Sequence, residues 1–336
     1  MSTPWWRRSW LLPALGVLAF FVIRLLASLC VGDQIAQMGD QEAKHTEIAW
    51  ALAQGTLGDQ GWKLRDFLLT GGNVHHGGYL TISVWFWALS KVFGPSLIAL
   101  RLIPLLWWTG AVAVWTALAH RTVGALAAAL LPLAFILAPQ DVLGLQLHTN
   151  GSHTEVVLPL ALMCAGFCLY LDAEKRTPVL AAVAGYLCGF AFGFNLSMGP
   201  VVLFLLVLGA LPPAWWRAPR GLAVAVAGVA VGMWPLWLLI GLEPAGFLYR
   251  PLTEDASTQL GSVAMGGDKA RSLLWLFFDA LELEWQSGTV VAPGGQLLRV
   301  DGGFFLYRAA VILGALLLLP AALRCAGPVR RLGLLV

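Results

Sequence analysis

Charge is scarce in this chain. Acidic and basic residues make up 12% of its 336 residues, well below the quarter or so that solvates an ordinary soluble domain. Arginine carries most of the positive charge and lysine little of it. No basic run with interleaved aromatics occurs, which argues against a nucleic-acid partner. The 5 cysteines, Cys30, Cys164, Cys168, Cys188 and Cys325, lie in or at the ends of apolar segments. They show neither metal-ligand spacing nor a disulfide framework, and the pair Cys164 and Cys168 reads as packed thiols on one helix face. No Asp-x-Asp pair is present either, so no metal and no other cofactor is expected.

What fills the chain instead is apolar. Hydrophobic residues make up 59%, the mean hydropathy is +0.77, and apolar stretches of the roughly 20 residues needed to cross a bilayer recur. The first, at 11–30, follows Arg7-Arg8 and lacks a small-residue cleavage motif, so it reads as a retained helix. Arg24 interrupts it near its outer end, where a long side chain can snorkel to the interface. Further spans are expected at 97–119, 123–138, 156–171, 179–194, 200–211, 222–241 and 304–323. The segment 79–93 is short, contains Thr81, Ser83, Ser90 and Lys91, and is rich in Trp and Phe. It fits a helix lying at the interface better than one crossing it.

Loop charge supports that choice. Without a crossing at 79–93, the inner loops hold Arg7, Arg8, Arg121, Lys175, Arg176, Arg217, Arg220, Arg324, Arg330 and Arg331, with Asp172 and Glu174 as their acids. The outer loops then hold Asp40, Glu42, Glu47, Asp141, Glu155, Glu254, Asp255 and Asp301. A crossing would move Arg121 and Lys175-Arg176 outside, against the positive-inside rule. The expected fold is an all-α polytopic membrane protein of about eight transmembrane helices, with both termini cytoplasmic. Residues 1–241 are expected to form the membrane module that carries the candidate chemistry, 242–303 a second large outer loop, and 304–336 the last helix and tail.

The first outer loop, 31–94, predicts an amphipathic helix over 40–54, with Ile48, Ala49 and Leu52 on one face and Asp40, Lys44 and Glu47 on the other. The second predicts an interfacial helix over 268–285 between glycine-rich turns. Gly185, Gly189 and Gly193 in one span, and Gly228 and Gly232 in another, predict close helix–helix packing.

The chemistry-bearing residues gather at the outer face. They are the cluster Asp40-Gln41-Glu42, the pair His75-His76, and Arg101 at the outer end of a span. These types suit transfer from a lipid phosphate. An acid can act as base toward an acceptor hydroxyl, a guanidinium can hold a phosphate, and a His can donate to phosphate or sugar.

In order along the chain, Asp40-Gln41-Glu42, Thr46-Glu47-Ile48-Ala49, the His pair before an aromatic segment, Phe93-Gly94-Pro95-Ser96 and Ala99-Leu100-Arg101-Leu102-Ile103-Pro104 resemble the first-loop pattern of GT-C-type glycosyltransferases. Protein O-mannosyltransferases and aminoarabinose-transferase-like enzymes are the nearest kinds. The likeness continues through His120-Arg121-Thr122-Val123-Gly124-Ala125, the segment 148–155 and the span 185–200, and so covers roughly the first 200 residues. It implies a polyprenyl-phosphate-linked sugar donor, a lipid, glycan or protein acceptor, and an inverting hexosyl or pentosyl transfer. The reaction would face the periplasm or exterior of a bacterial inner membrane. It implies that Asp40 is base or substrate organiser, assisted by Glu42, that His76 contacts substrate and that Arg101 meets the donor phosphate. Glu155 would be a second outer acid, with Asn150 and His153 beside it. Two departures stand out: Gly77-Gly78 where the family often has Pro-Pro, and Met198 where a Lys commonly precedes Gly-Pro.

Each residue has a structural alternative. Asp40 can cap a helix, His75 and His76 can be surface loop residues, Arg101 can snorkel, and Glu155 suits a helix N-terminus. Two other classes stay open: a transporter or flippase, and a non-catalytic membrane partner of the same fold.

Overall fold

The computed structural model describes residues 10–31, 40–59, 61, 63, 68, 77–138, 146, 147, 149, 155–172, 177–195, 198, 199, 202, 219–242, 289–291 and 297–299. The expectations for 200–211, 268–285 and 304–323 lie outside them, save Val202. The chain divides into two units, 1–242 with 317–336, and 243–316.

In the first unit the described elements are helices: α1 (Leu11–Val31), α2 (Asp40–Gln54), α3 (Gly77–Phe93), α4 (Leu97–Thr122), α5 (Ala125–Ile136), α6 (Val157–Asp172), α7 (Pro178–Phe194), α8 (Pro219–Gly232) and α9 (Trp234–Leu242). Among the described residues two stretches, Leu11–Leu29 and Ile98–Thr122, are long and apolar enough to cross a membrane. A third arises if the bent pair α8–α9 is one span, and four shorter apolar helices accompany them. In the second unit, β1 (Thr289–Val291) and β2 (Leu297–Arg299) pair antiparallel, with Val290 opposite Leu298.

Side-chain contacts fix the helix directions. Trp10, just before α1, stacks on His120 near the end of α4 with ring centroids 3.8 Å apart. Phe20 packs on Trp108 and Val112 midway. The two helices are therefore antiparallel, and α4 begins at the end of the bundle where α1 finishes, here termed the upper end. Gly124, with φ +129°, turns the chain from α4 into α5, a backbone conformation that favours glycine. The N–H groups of Val123 and Gly124 both donate to the Ala119 carbonyl there.

α2 forms where the sequence places it. Ile48, Ala49 and Ala51 are buried while Glu47 is exposed, and Ile48 and Ala49 join Ile82 and Phe86 of α3 against Ala99, Leu100 and Ile103 of α4. α3 is two-faced in the same way: Leu80, Ile82 and Phe86 face inward, whereas Val84, Trp85 and Trp87 are exposed. Lys91 stands 5.7 Å from the centroid of the Trp87 ring.

The glycine prediction is met by α7 and α8. A Cβ on Gly185 or Gly189 would run into the backbone of Ala225 or Val229, and one on Gly228 or Gly232 into that of Ala182 or Tyr186. Both partners advance together along the chain, so α7 and α8 run parallel. The end of α7 and the start of α8 thus lie at opposite ends of the bundle.

Two expectations change. The stretch 222–241 is not one straight helix but bends by 51° at Met233. Pro235 has no N–H to continue the ladder, and the Trp237 indole N–H donates instead to the Ala230 carbonyl at 2.6 Å, bracing the bend. Nor does Arg24 snorkel. It is 4% exposed, and its Nη2 donates to the carbonyls of Phe135 at 2.8 Å and Ile136 at 3.0 Å. Those carbonyls lie in the last turn of α5, where the helix lacks its own donors and favours a cation.

Candidate functional site

Arg101 sits one turn into α4, and the start of that helix is fixed locally. Ser96 is the N-cap, its Oγ accepting from the Ala99 N–H at 3.3 Å. Leu100 and Ile103, on either side of Arg101, are fully buried. Arg101 follows them inward to 6% exposure, and its Nη1 donates to the Leu147 carbonyl at 3.3 Å. A guanidinium in an apolar bundle is retained only where acceptors meet it.

The same segment receives the other buried arginine. Arg24 Nε donates to Gln146 Oε1 at 2.6 Å. Arg24 of α1 and Arg101 of α4 therefore bond to successive residues, Gln146 and Leu147, between α5 and α6. The Arg24 guanidinium also lies 5.4 Å from the centroid of the Phe20 ring.

Other polar side chains border the same apolar floor. Glu155, 0% exposed, immediately precedes Val156, which packs on the cluster of Ile48, Leu100 and Ile103. The Glu155 carbonyl accepts from the Leu158 N–H at 3.4 Å, opening α6. Phe194 belongs to that cluster too, and the residue after it, buried Asn195, is the C-cap of α7. Thr149 is buried as well. Arg101, Glu155 and Asn195 are thus each one residue from a member of one apolar cluster at the upper end.

The remaining expected site residues divide simply. Asp40 and Glu42 occupy the first turn of α2, the helix that rests on the Arg101 turn through Ile48 and Ala49. Asp40 lies about 12 Å along the helix from Ile48 at 1.5 Å per residue. His75, His76, Asn150 and His153 lie outside the described residues. Arg24, Gln146, Thr149 and Asn195 belong to the buried polar set and were not expected from sequence. The signal available was Arg24 itself, a charge inside an apolar run.

Toward the other end, buried Thr116 of α4 lies among mainly apolar side chains. Cys164, Cys168 and Cys188 are buried in a cluster with Met163, Phe167 and Leu118. A cleft of about 160 Å³ beside them is lined by Phe167, Tyr170, Cys188, Leu222 and Val226 among others. No group of three or more metal-ligating side chains occurs among the described residues.

Comparison with protein-family models, with curated proteins and with solved structures found no match to this chain.

Proposed function

We propose that the protein is a membrane glycosyltransferase of the GT-C type, moving a hexosyl or pentosyl unit from a polyprenyl-phosphate donor to a lipid, glycan or protein acceptor. The observation that carries this reading is the buried Arg101 at one end of the bundle, with buried Glu155 and Asn195 each, like Arg101, one residue from a member of the same apolar cluster. In the proposed reaction the acceptor hydroxyl oxygen bonds to the anomeric carbon as its proton passes to Asp40, with Glu42 assisting. The bond from that carbon to the phosphate oxygen breaks, and the phosphate leaves with the electron pair beside Arg101. Displacement from the opposite face inverts the anomeric centre. His75, His76, Asn150, His153 and Glu155 contact donor or acceptor.

The reading includes about eight crossings, with the site on the outer face of a bacterial inner membrane. Two directions support that count. Antiparallel α1 and α4 mean that α2 and α3 make no net crossing between them, and parallel α7 and α8 are compatible with a crossing at 200–211. Cysteine labelling tests the sidedness: positions 121, 175 and 217 react from the inside, 40 and 254 from the outside.

The deciding experiment is transfer of labelled sugar from polyprenyl-phosphate donors by purified protein in proteoliposomes, with Arg101→Ala alongside. Transfer by the native chain that falls with Arg101→Ala supports the reading; no transfer from any hexosyl or pentosyl donor overturns it. A second reading, a lipid transporter, draws on the break at Met233, since transporters use interrupted helices. Lipid movement across vesicles without sugar transfer would favour it.

A further inference from the structure

Gln146 has one half of its side-chain amide satisfied and the other not. Its Oε1 accepts from Arg24 Nε. Because a guanidinium only donates, that bond settles which amide atom is oxygen and turns Nε2 away from Arg24. Nε2 is buried and has no hydrogen-bond partner among the described residues, in a residue 1% exposed. Two N–H donors without an acceptor in a protein interior are costly, and such a group calls for an explanation, a bound ligand being one.

The chemistry around Nε2 selects the acceptor. Among the described residues the partners of Arg24 are neutral: the Gln146 amide oxygen, two backbone carbonyls and the face of Phe20. Its full positive charge therefore persists beside the open donors. On the other side, the Leu147 carbonyl ties this residue pair to Arg101. An acceptor that answers both the two N–H groups and the uncompensated charge is an anionic oxygen, since charge-assisted bonds are the stronger kind.

We propose that Gln146 Nε2 is a hydrogen-bond donor to a phosphoryl oxygen bound beside Arg101, and that Arg24 is the positioning residue that orients the amide. This rests on the reading that Arg101 meets the donor phosphate. Arg24 reaches the ligand through Gln146, while its bonds to Phe135 and Ile136 hold it on α5.

The test uses the full chain in nanodiscs of neutral phosphatidylcholine and measures binding of three probes: a polyprenyl monophosphate, the uncharged polyprenol and inorganic phosphate. Gln146→Glu is the informative variant, because its carboxylate still accepts from Arg24 but cannot donate and adds a negative charge. It should keep the thermal midpoint and polyprenol binding while weakening polyprenyl monophosphate at least tenfold. Gln146→Met, which removes the donors without adding charge, should weaken it by about threefold and serves if the Glu variant does not fold. Inorganic phosphate bound with the same sensitivity to position 146 would identify a free oxyanion as sufficient; binding confined to the lipid would identify the headgroup as the source. Native-like affinity in both Gln146 variants, with Arg101→Ala weakened, would overturn the role of Gln146 and leave that of Arg101. Affinity lost at 146 but not at 101 would do the reverse.

Discussion

The upper end of the bundle and the α7–α8 seam solve opposite problems with opposite materials. At the seam, glycines bring two backbones into contact, and the contacts around Gly185, Gly189, Gly228 and Gly232 are backbone against backbone. At the upper end, long polar side chains from distant parts of the chain meet inside an apolar shell, Arg24 and Gln146 being 122 residues apart. Association at the seam needs only shape, which is what helices in lipid have available. Burying charge at the upper end is expensive unless every acceptor is in place. A bundle seeking stability alone has no need of the second arrangement, and its presence is what points to chemistry.

The sharpest way to break the comparison is at the seam. Gly189→Val places its side chain against the Val229 backbone. The expected penalty exceeds the roughly 1–3 kcal/mol of ordinary overpacking, because backbone yields less than a side chain. Size-exclusion profiles of the expressed variant should show loss of the monodisperse protein. A normal profile would show that α7 and α8 separate freely.

At the upper end the largest effect should fall on turnover rather than on folding. Asp40→Asn should cut sugar transfer by about 10²–10⁴-fold, or about 3–5 kcal/mol of barrier, at an unchanged thermal midpoint. Undiminished transfer would remove Asp40 from the mechanism. Arg24→Met tests the packing of the same upper end. It strands Gln146 Oε1 and two helix-end carbonyls, for an expected loss of about 3 kcal/mol of stability, read by thermal or denaturant unfolding. If stability is unchanged, the polar end contributes nothing to holding α1 against α5.

The smallest expected effect is at Gly16, where an added Cβ would stand 3.1 Å from Cγ of Pro132. A proline ring inside α5 can yield by a few tenths of an ångström, so Gly16→Ala should cost about 1 kcal/mol. A thermal-shift series comparing it with Gly189→Val separates side-chain from backbone contact.

How much of this was legible in the sequence depended on whether the signal was local. The helix over 40–54 was readable because Ile48, Ala49 and Glu47 carry their own periodicity, and the glycine seam because its spacing repeats every four residues. Arg101 and Glu155 stood out as charges beside apolar spans, and both are buried at the upper end. Arg24 was misread for the same reason that it was noticed. A charge in an apolar run reports a depth, while its partners Phe135, Ile136 and Gln146 are set by tertiary packing. Gln146, Thr149 and Asn195 gave no pattern, since a single neutral polar residue beside a span has many uses. The bend at Met233 was locally encoded by Pro235, but mean hydropathy passes straight over such a break.

The parallel course of α7 and α8 also bears on how the protein is made. Helices that adjoin as a hairpin can pair as soon as the second one emerges, whereas a parallel pair must wait for whatever lies between them to be threaded first. Closing that longer loop adds only slowly to the entropic cost, so the delay is one of order rather than of energy. During that interval the glycine face of α7 has no partner, and the complementary surface through Gly232 exists only once that residue has left the ribosome. Quality control that samples the nascent chain would therefore meet an unfinished seam in every molecule, including those destined to fold correctly.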